Sequence, residues 1–115
     1  MRKILCFVFV ILAAHVVSGG THAADRAVRI LALGDSLTAG YGLTDLKLSF
    51  PAQLEAALKA KGHDVVIIQG GVSGDTSTGG RSRVEWALGE KPDAVIVALG
   101  GNDALRAVDP AVTLE

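Results

Sequence analysis

Cysteine is almost absent from this chain, which has only Cys6 in 115 residues. A single cysteine cannot form an intramolecular disulfide, and it cannot supply the paired thiolates of a structural zinc site. Histidine is also scarce, and none follows His63, which stands alone beside a predicted helix end. The sequence therefore predicts no metal site, and we interpret His63 as a surface residue near a helix C-terminus.

Basic residues form no stripe or patch in this sequence. The sequence has 11 Lys and Arg residues and 12 Asp and Glu residues. If Arg2 and Lys3 are removed with the N-terminal segment described below, nine basic residues remain and the net charge is −3. This balance argues against nucleic acid as the main partner. The phosphate-binding motifs G-x-G-x-x-G and G-x-x-x-x-G-K-[ST] are both absent from the sequence, so it gives no specific indication of a nucleotide site.

Residues 1–24 have the order of features of a secretory signal peptide. Arg2 and Lys3 form a basic start, residues 4–17 are mostly apolar, and small residues lead to the Ala23-Ala24 pair. The apolar run is short for a membrane span, and no comparable run occurs later in the sequence. We therefore expect cleavage at this pair, a periplasmic or secreted product and no stable membrane span afterwards; an uncleaved N-terminal anchor is the alternative.

Residues 25–115 alternate apolar runs with segments of helical periodicity, which predicts one small α/β domain. The apolar runs are continuous or rich in β-branched residues, as in strands buried on both faces of a parallel sheet. The predicted elements are strands at 28–33, 65–68 and 94–99 and helices from Ser49 to Gly62 and from near Thr78 to Leu88. In the second helix we expect Val84, Ala87 and Leu88 to face the core and Trp86 to cover an edge.

The β-α-β-α-β order implies parallel strands joined by right-handed crossovers. The commonest small arrangement is a three-layer, flavodoxin-like sheet with strand order 2-1-3. Its crevice lies at the carboxyl ends of strands 1 and 3. Three predicted loops rich in small residues would meet there, at 34–42, at 70–80 and at the start of 100–108.

The last residues predict the beginning of another helix. Asp109 is a typical capping residue, and Pro110 fits the first helical turn. Only five residues follow the proline, too few to bury the apolar stripe that such a helix carries. We therefore expect the C-terminal part of this fold to be missing from the sequence, so that 25–115 is an N-terminal fragment of the domain.

Each predicted loop contains groups that could act on an acyl substrate. Ser36 offers a hydroxyl, the glycines of 70–80 offer backbone N–H groups, and Asn102 offers an amide that could bind an oxyanion. Each loop also has an ordinary structural interpretation, because Asp, Asn, Ser and Thr are common turn and cap residues. These interpretations apply to Asp35 and Ser36, to Asp75, Thr76 and Thr78, and to Asn102 and Asp103.

The three segments together resemble the SGNH hydrolases, also called GDSL-type lipases and esterases. The matching segments are Gly34-Asp35-Ser36-Leu37, residues 71–77 and Gly100-Gly101-Asn102-Asp103, in that order and each after its own predicted strand. The residues around these segments are most similar to the bacterial thioesterase I, lysophospholipase and arylesterase branch. The resemblance covers residues 28–115, which correspond to the N-terminal portion of such a domain.

This resemblance implies a role for four residues. Ser36 would be the nucleophile and would donate its own N–H to the oxyanion, Gly74 would donate a backbone N–H and Asn102 its side-chain amide, while Asp35 would support the loop. The family's base lies in an Asp-x-x-His segment near the C-terminus, and no such segment occurs in this sequence. Gln69 also departs from the asparagine that this branch often has before the second loop.

The activity implied by the resemblance is hydrolysis of small acyl esters or thioesters through an acyl-serine, without a metal or organic cofactor. Arylesterase, lysophospholipase and acyl-CoA thioesterase activities all fit it. The alternative is a non-catalytic module on the same fold that binds a small acyl or sugar ligand. Lacking its base, the chain as given would retain at most residual activity.

Overall fold

The computed structural model of this chain describes residues 26–114. The signal peptide expected at 1–24 lies outside the described residues. Three strands and five helices follow one another along the described part of the chain, with one 3-10 helix at Leu46–Leu48. They are β1 (Val28–Gly34), α1 (Ser36–Ala39), α2 (Phe50–Ala60), β2 (Val65–Gly71), α3 (Ser77–Leu88), β3 (Ala94–Ala98), α4 (Gly101–Leu105) and α5 (Pro110–Thr113).

The three strands form a parallel sheet in the order β2-β1-β3, which confirms the predicted fold class. The chain moves from β1 to β2 in one direction and from β2 past β1 to β3 in the other. Right-handed crossovers then place α2 and α3 on opposite faces of the sheet. Gly34 pairs with Gly71 on one side and with Ala98 on the other, so all three strands end level at one edge.

The core lies between β1 and α3. Leu31 and Leu33 are buried against Ala87, and the partly buried Ile68 and Val84 pack around them. The expectation for α3 was therefore right for Val84 and Ala87 but wrong for Leu88, which is 44% exposed. Leu88 is the last residue of the helix and is not part of the core cluster, and Trp86, which was expected to cover an edge, is 80% exposed.

Two predicted loops contain short helices instead. The structure has α1 within 34–42 and α4 within 100–108, where the sequence predicted loops. The Asp35 side chain stabilises the start of α1 by accepting a hydrogen bond from Leu37 N at 3.0 Å. Helices of four and five residues are marginal alone, so local caps and tertiary contacts hold them.

An ion pair and hydrogen bonds join β1 and β3 at the amino-terminal edge of the sheet. Asp93, just before β3, accepts hydrogen bonds from the Arg26 guanidinium and from Arg29 N at 2.8 Å. These bonds lower the pKa of the Asp93 carboxyl below its ordinary value, and the bond from Arg26 has the larger effect. Away from this edge, Glu55 of α2 accepts a hydrogen bond from Ile67 N at 2.8 Å and joins that helix to β2.

Candidate active site

Ser36 lies directly beyond the carboxyl end of β1, as the first residue of α1. The turn into α1 depends on Gly34, because a methyl group there would lie 2.0 Å from Thr38 Oγ1. The neighbouring Asp35 is buried, and its Oδ1 accepts a hydrogen bond from Leu37 N. The serine is partly exposed, and within residues 26–114 its Oγ makes no hydrogen bond. The hydroxyl is therefore available at the strand end.

His63 does not approach this serine. It is exposed and lies between α2 and the amino-terminal end of β2, whereas Ser36 follows the carboxyl-terminal end of the parallel neighbour β1. The two residues are thus at opposite edges of the sheet. In the described part of the chain no histidine is placed to take a proton from Ser36.

Gly74 shapes the second loop. Its φ of 83° lies in the left-handed region, where residues with a side chain are strained. Among residues 26–114 the N–H of Gly74 has no hydrogen-bond partner, and the same holds for the N–H of Ser36. The Gly74 carbonyl, in contrast, accepts from Arg106 Nη2 at 2.9 Å. The loop thus directs the Gly74 carbonyl toward Arg106 and leaves the Gly74 amide hydrogen without a partner among the described residues.

Asn102 brings the three loops together. It belongs to α4, which begins after Gly100 at a φ of 109°. Asn102 Nδ2 donates to Asp75 O at 2.8 Å and lies 3.4 Å from Asp35 Oδ2. Asp35 is the residue before Ser36, and Asp75 is the residue after Gly74. One amide nitrogen therefore lies within hydrogen-bonding range of the immediate neighbours of both other predicted site residues.

Asp103, the residue after Asn102, links helices next to this site. It is 2% exposed, and its carboxylate accepts from Ser77 N at 2.8 Å, from Ser77 Oγ at 2.5 Å and from Thr113 Oγ1 at 3.2 Å. The Ser77 hydroxyl is the main cause of a pKa below the ordinary aspartate value, and burial opposes it. Asp103 therefore joins α4 to the start of α3 and to α5.

Gln69 stands where the resemblance implied an asparagine, and its side chain bridges two elements. Its Nε2 donates to Thr38 O at 2.8 Å, and its Oε1 accepts from Gly71 N at 2.9 Å. The longer side chain thus joins the end of β2 to α1. Gly71 allows this close approach, because a methyl group there would lie 2.2 Å from Ala39 N.

The sequence analysis missed two arginines at this site. Arg106 binds the Gly74 carbonyl, and Arg83 binds both Asp75 and the carbonyl of Gly34. Within residues 26–114 there is no group of three or more His, Cys, Asp or Glu side chains that could hold a metal ion. No helix in that part of the chain is long and apolar enough to cross a membrane.

The fold and the three loops define an SGNH-hydrolase type of domain. The esterase AlinE4, described as an SGNH-hydrolase family esterase, superposes with a TM-score of 0.70 and 49% identity over 76% of this chain and 48% of its own. The crystal structure of TesA also superposes with a TM-score of 0.70, at 41% identity over 74% of this chain and 47% of its own.

The chain belongs to the GDSL-like lipase/acylhydrolase family, which matches residues 32–115. It is similar to an arylesterase of Vibrio mimicus, at 42% identity over 78% of this chain and 45% of the relative. It is also similar to thioesterase 1/protease 1/lysophospholipase L1 of Escherichia coli K12, at 38% identity over 81% of this chain and 43% of the relative. The resemblance inferred from the sequence is confirmed, and the chain spans about half the length of these curated relatives.

Proposed function

We propose that this chain supplies the nucleophile and the oxyanion-binding groups of a serine hydrolase acting on acyl esters or thioesters. The position of Asn102 Nδ2 between the neighbours of Ser36 and Gly74 carries the proposal. The arylesterase, esterase and thioesterase/lysophospholipase names of the relatives support the same reaction class. The substrate would be a small acyl ester of the aryl, lysophospholipid or acyl-CoA type.

In the proposed reaction, Ser36 Oγ attacks the acyl carbonyl while its proton passes to a base. Since no histidine among residues 26–114 reaches Ser36, the base comes from outside that range, in keeping with the Asp-x-x-His segment that the family resemblance implies. The carbonyl oxygen becomes negative in the tetrahedral intermediate. Expulsion of the alcohol or thiol leaves an acyl-serine, and a water molecule then releases the acid.

The oxyanion would receive three hydrogen bonds. The N–H groups of Ser36 and Gly74 have no partner among the described residues, so neither must break a bond to donate. Asn102 holds one amide hydrogen firmly on Asp75 O, while the second faces Asp35 Oδ2 across a long 3.4 Å contact. A developing negative charge can attract that second hydrogen at little cost. Asp35 would then act by holding the turn.

We also propose that the protein is exported, because residues 1–24 have the charge, apolar core and small-residue order of a signal peptide. N-terminal sequencing of the protein recovered from periplasm and medium tests this proposal. A mature terminus at residue 24 or 25 supports it, and recovery of the intact N-terminus from the membrane fraction contradicts it.

The test of the activity uses the product of the complete coding sequence with p-nitrophenyl esters, a lysophospholipid and an acyl-CoA. The informative variant is Ser36→Ala, and the matched control is Ser82→Ala on the exposed surface of α3. We expect Ser36→Ala to abolish turnover and labelling by a fluorophosphonate probe, while Ser82→Ala retains both. Equal turnover by Ser36→Ala and the unmodified protein would exclude a Ser36 nucleophile, and absence of turnover with binding of acyl ligands would support the non-catalytic alternative.

A further inference from the structure

Arg83 contacts two of the site loops with one guanidinium group. It lies in α3, where Nε donates to Asp75 Oδ2 at 2.7 Å and Nη2 donates to Gly34 O at 3.0 Å. The Arg83 and Asp75 side chains are only 19% and 14% exposed, so solvent screens this ion pair less than a surface pair. The planar guanidinium holds its donors at fixed angles, which fixes the separation of the two acceptors.

Both acceptors lie close to the groups proposed to act on the substrate. Gly34 is two residues before Ser36, at the point where β1 leaves the sheet. Asp75 follows Gly74, and its carbonyl is the acceptor that orients Asn102. The guanidinium therefore connects the backbone that presents the nucleophile with the segment that carries one oxyanion donor and orients another.

The Gly34 carbonyl shows why an arginine is needed here. It already accepts from Val72 N at 2.9 Å, which continues the pairing of β1 with the end of β2. Arg83 Nη2 supplies a second donor to the same oxygen, so both of its lone pairs are used. A lysine has one small ammonium group and cannot reproduce two donors with this spacing.

We infer that Arg83 is a positioning residue of the proposed ester-cleaving site, which sets the separation between Ser36 and the donors Gly74 and Asn102. It touches no substrate and acts through Gly34 and Asp75. The catalytic consequence rests on the proposed function, whereas the structural link between the loops does not. A displacement of about 1 Å in such a site can cost roughly 100-fold in rate.

The first experiment compares Arg83→Lys with Arg26→Lys in the product of the complete coding sequence. Arg26 forms an ion pair with Asp93 at the opposite edge of the sheet, so its variant measures the loss of an arginine–aspartate pair away from the site. We expect Arg83→Lys to lower kcat about 10- to 100-fold with KM within about 3-fold, and Arg26→Lys to leave both unchanged. An unchanged kcat in a folded Arg83→Lys protein overturns the inference.

A double-mutant cycle separates positioning from a general loss of stability. If Arg83 positions both oxyanion donors, Arg83→Lys has a smaller effect in the Asn102→Ala background, because one of the two donors is already gone. We expect the additional loss of kcat there to be clearly smaller than in the unmodified protein, with a remainder that comes from Gly74. Fully multiplicative losses show that Arg83 does not act through Asn102 and contradict the inference.

Amide hydrogen exchange tests the structural link without turnover. We expect Arg83→Lys to accelerate exchange at Leu37 N, whose partner is Asp35, and at Asp75 N, whose partner is Val72 O, with no change in Arg26→Lys. Unchanged exchange in both loops of Arg83→Lys overturns the inference even in an active enzyme. An inactive unmodified protein with the expected exchange pattern contradicts the proposed function and leaves the link between the loops established.

Discussion

Asn102 and Arg106 donate to neighbouring carbonyl oxygens of the same loop. Asn102 Nδ2 binds Asp75 O at 2.8 Å, and Arg106 Nη2 binds Gly74 O at 2.9 Å. Asn102 lies in α4 and Arg106 directly follows its last residue, so the two donors are four residues apart, and Arg106 N donates to Asn102 O at 3.1 Å. The short helix thus fixes two successive peptide groups of the second loop. In the proposed mechanism, this attachment holds the segment directly after Gly74, whose N–H is one of the oxyanion donors.

The first prediction concerns Asn102. Asn102→Ala removes one proposed oxyanion donor, so we expect kcat to fall about 100- to 1,000-fold, or about 2.7–4 kcal/mol in the barrier, with KM little changed. Steady-state kinetics with a p-nitrophenyl ester measure both constants. Gln53→Ala is the matched control, because it removes a comparable amide bond, to Leu48 O at 2.8 Å, on the exposed surface of α2. A raised KM with unchanged kcat would instead assign Asn102 to substrate binding.

The second prediction separates backbone strain from catalysis at Gly74. Gly74 and Gly62 have almost the same backbone conformation, with φ values of 83° and 86°. Alanine at either position should destabilise the protein by roughly 1–2 kcal/mol, because both adopt the left-handed region. Alanine keeps the backbone N–H, so any loss of kcat arises because strain moves that N–H from its position. We expect Gly74→Ala alone to lower kcat, since Gly62 follows α2 at the other edge of the sheet. Urea unfolding and kinetics on both variants check this, and equal kcat values would show that strain at position 74 does not displace a group needed for turnover.

The third prediction concerns the contact between β2 and α1. A methyl group on Gly71 would lie 2.2 Å from Ala39 N, so Gly71→Ala must displace α1 or the strand end. We expect a loss of about 1–3 kcal/mol in the free energy of unfolding, together with reduced kcat because Ser36 belongs to α1. Gly101→Ala is the control, since its methyl group would meet nothing closer than Asp35 Oδ2 at 3.5 Å. Stability of Gly71→Ala equal to that of the unmodified protein contradicts this packing.

The fourth prediction is a loss of stability in acid that depends on Asp103. Hydrogen bonds from Ser77 lower the pKa of this carboxyl in the folded protein. The stabilisation is therefore complete above the unfolded pKa of about 3.9 and is lost as the pH falls through the lower folded value. We expect Asp103→Asn to be less stable at neutral pH and to lose less stability between pH 5 and about pH 2.

Urea unfolding at a series of pH values measures this slope. Asp93 and Glu55 also have lowered pKa values, from bonds to Arg26 and Lys59 respectively, so part of the acid slope remains in the variant. Asp45→Asn serves as a control for loss of an exposed carboxylate that caps a short helix. Identical slopes in Asp103→Asn and the unmodified protein would show that the Ser77 bonds do not hold the charged form.

The sequence predicted the sheet well because the strands carry strong local signals. The three apolar runs and the βαβ order are enough to indicate β2-β1-β3, and Asp109 with Pro110 correctly predicts the start of α5. The prediction of loops failed at α1 and α4, because four or five residues are too few to show helical periodicity. Their stability comes from contacts such as that between Asp35 and Leu37 N.

The arginines escaped prediction for a different reason. Arg83 binds a carbonyl 49 positions away, and Arg106 binds one 32 positions away. A polar residue on a helix reads as solvent-exposed unless the partner element is already placed. The motif residues Ser36, Gly74 and Asn102 could be proposed from local patterns, whereas the groups that hold their loops depend on the tertiary fold.

The pairing of Gly34 with both Gly71 and Ala98 holds the sheet together and also sets the relative position of the three strand ends. A slip of two residues along one strand preserves which side chains face the core, yet it shifts the strand by about 6.6 Å. That distance is more than twice the length of a hydrogen bond. A sheet with one strand paired two residues out of register could therefore still bury its leucines, but the loop groups at its carboxyl-terminal edge would no longer meet.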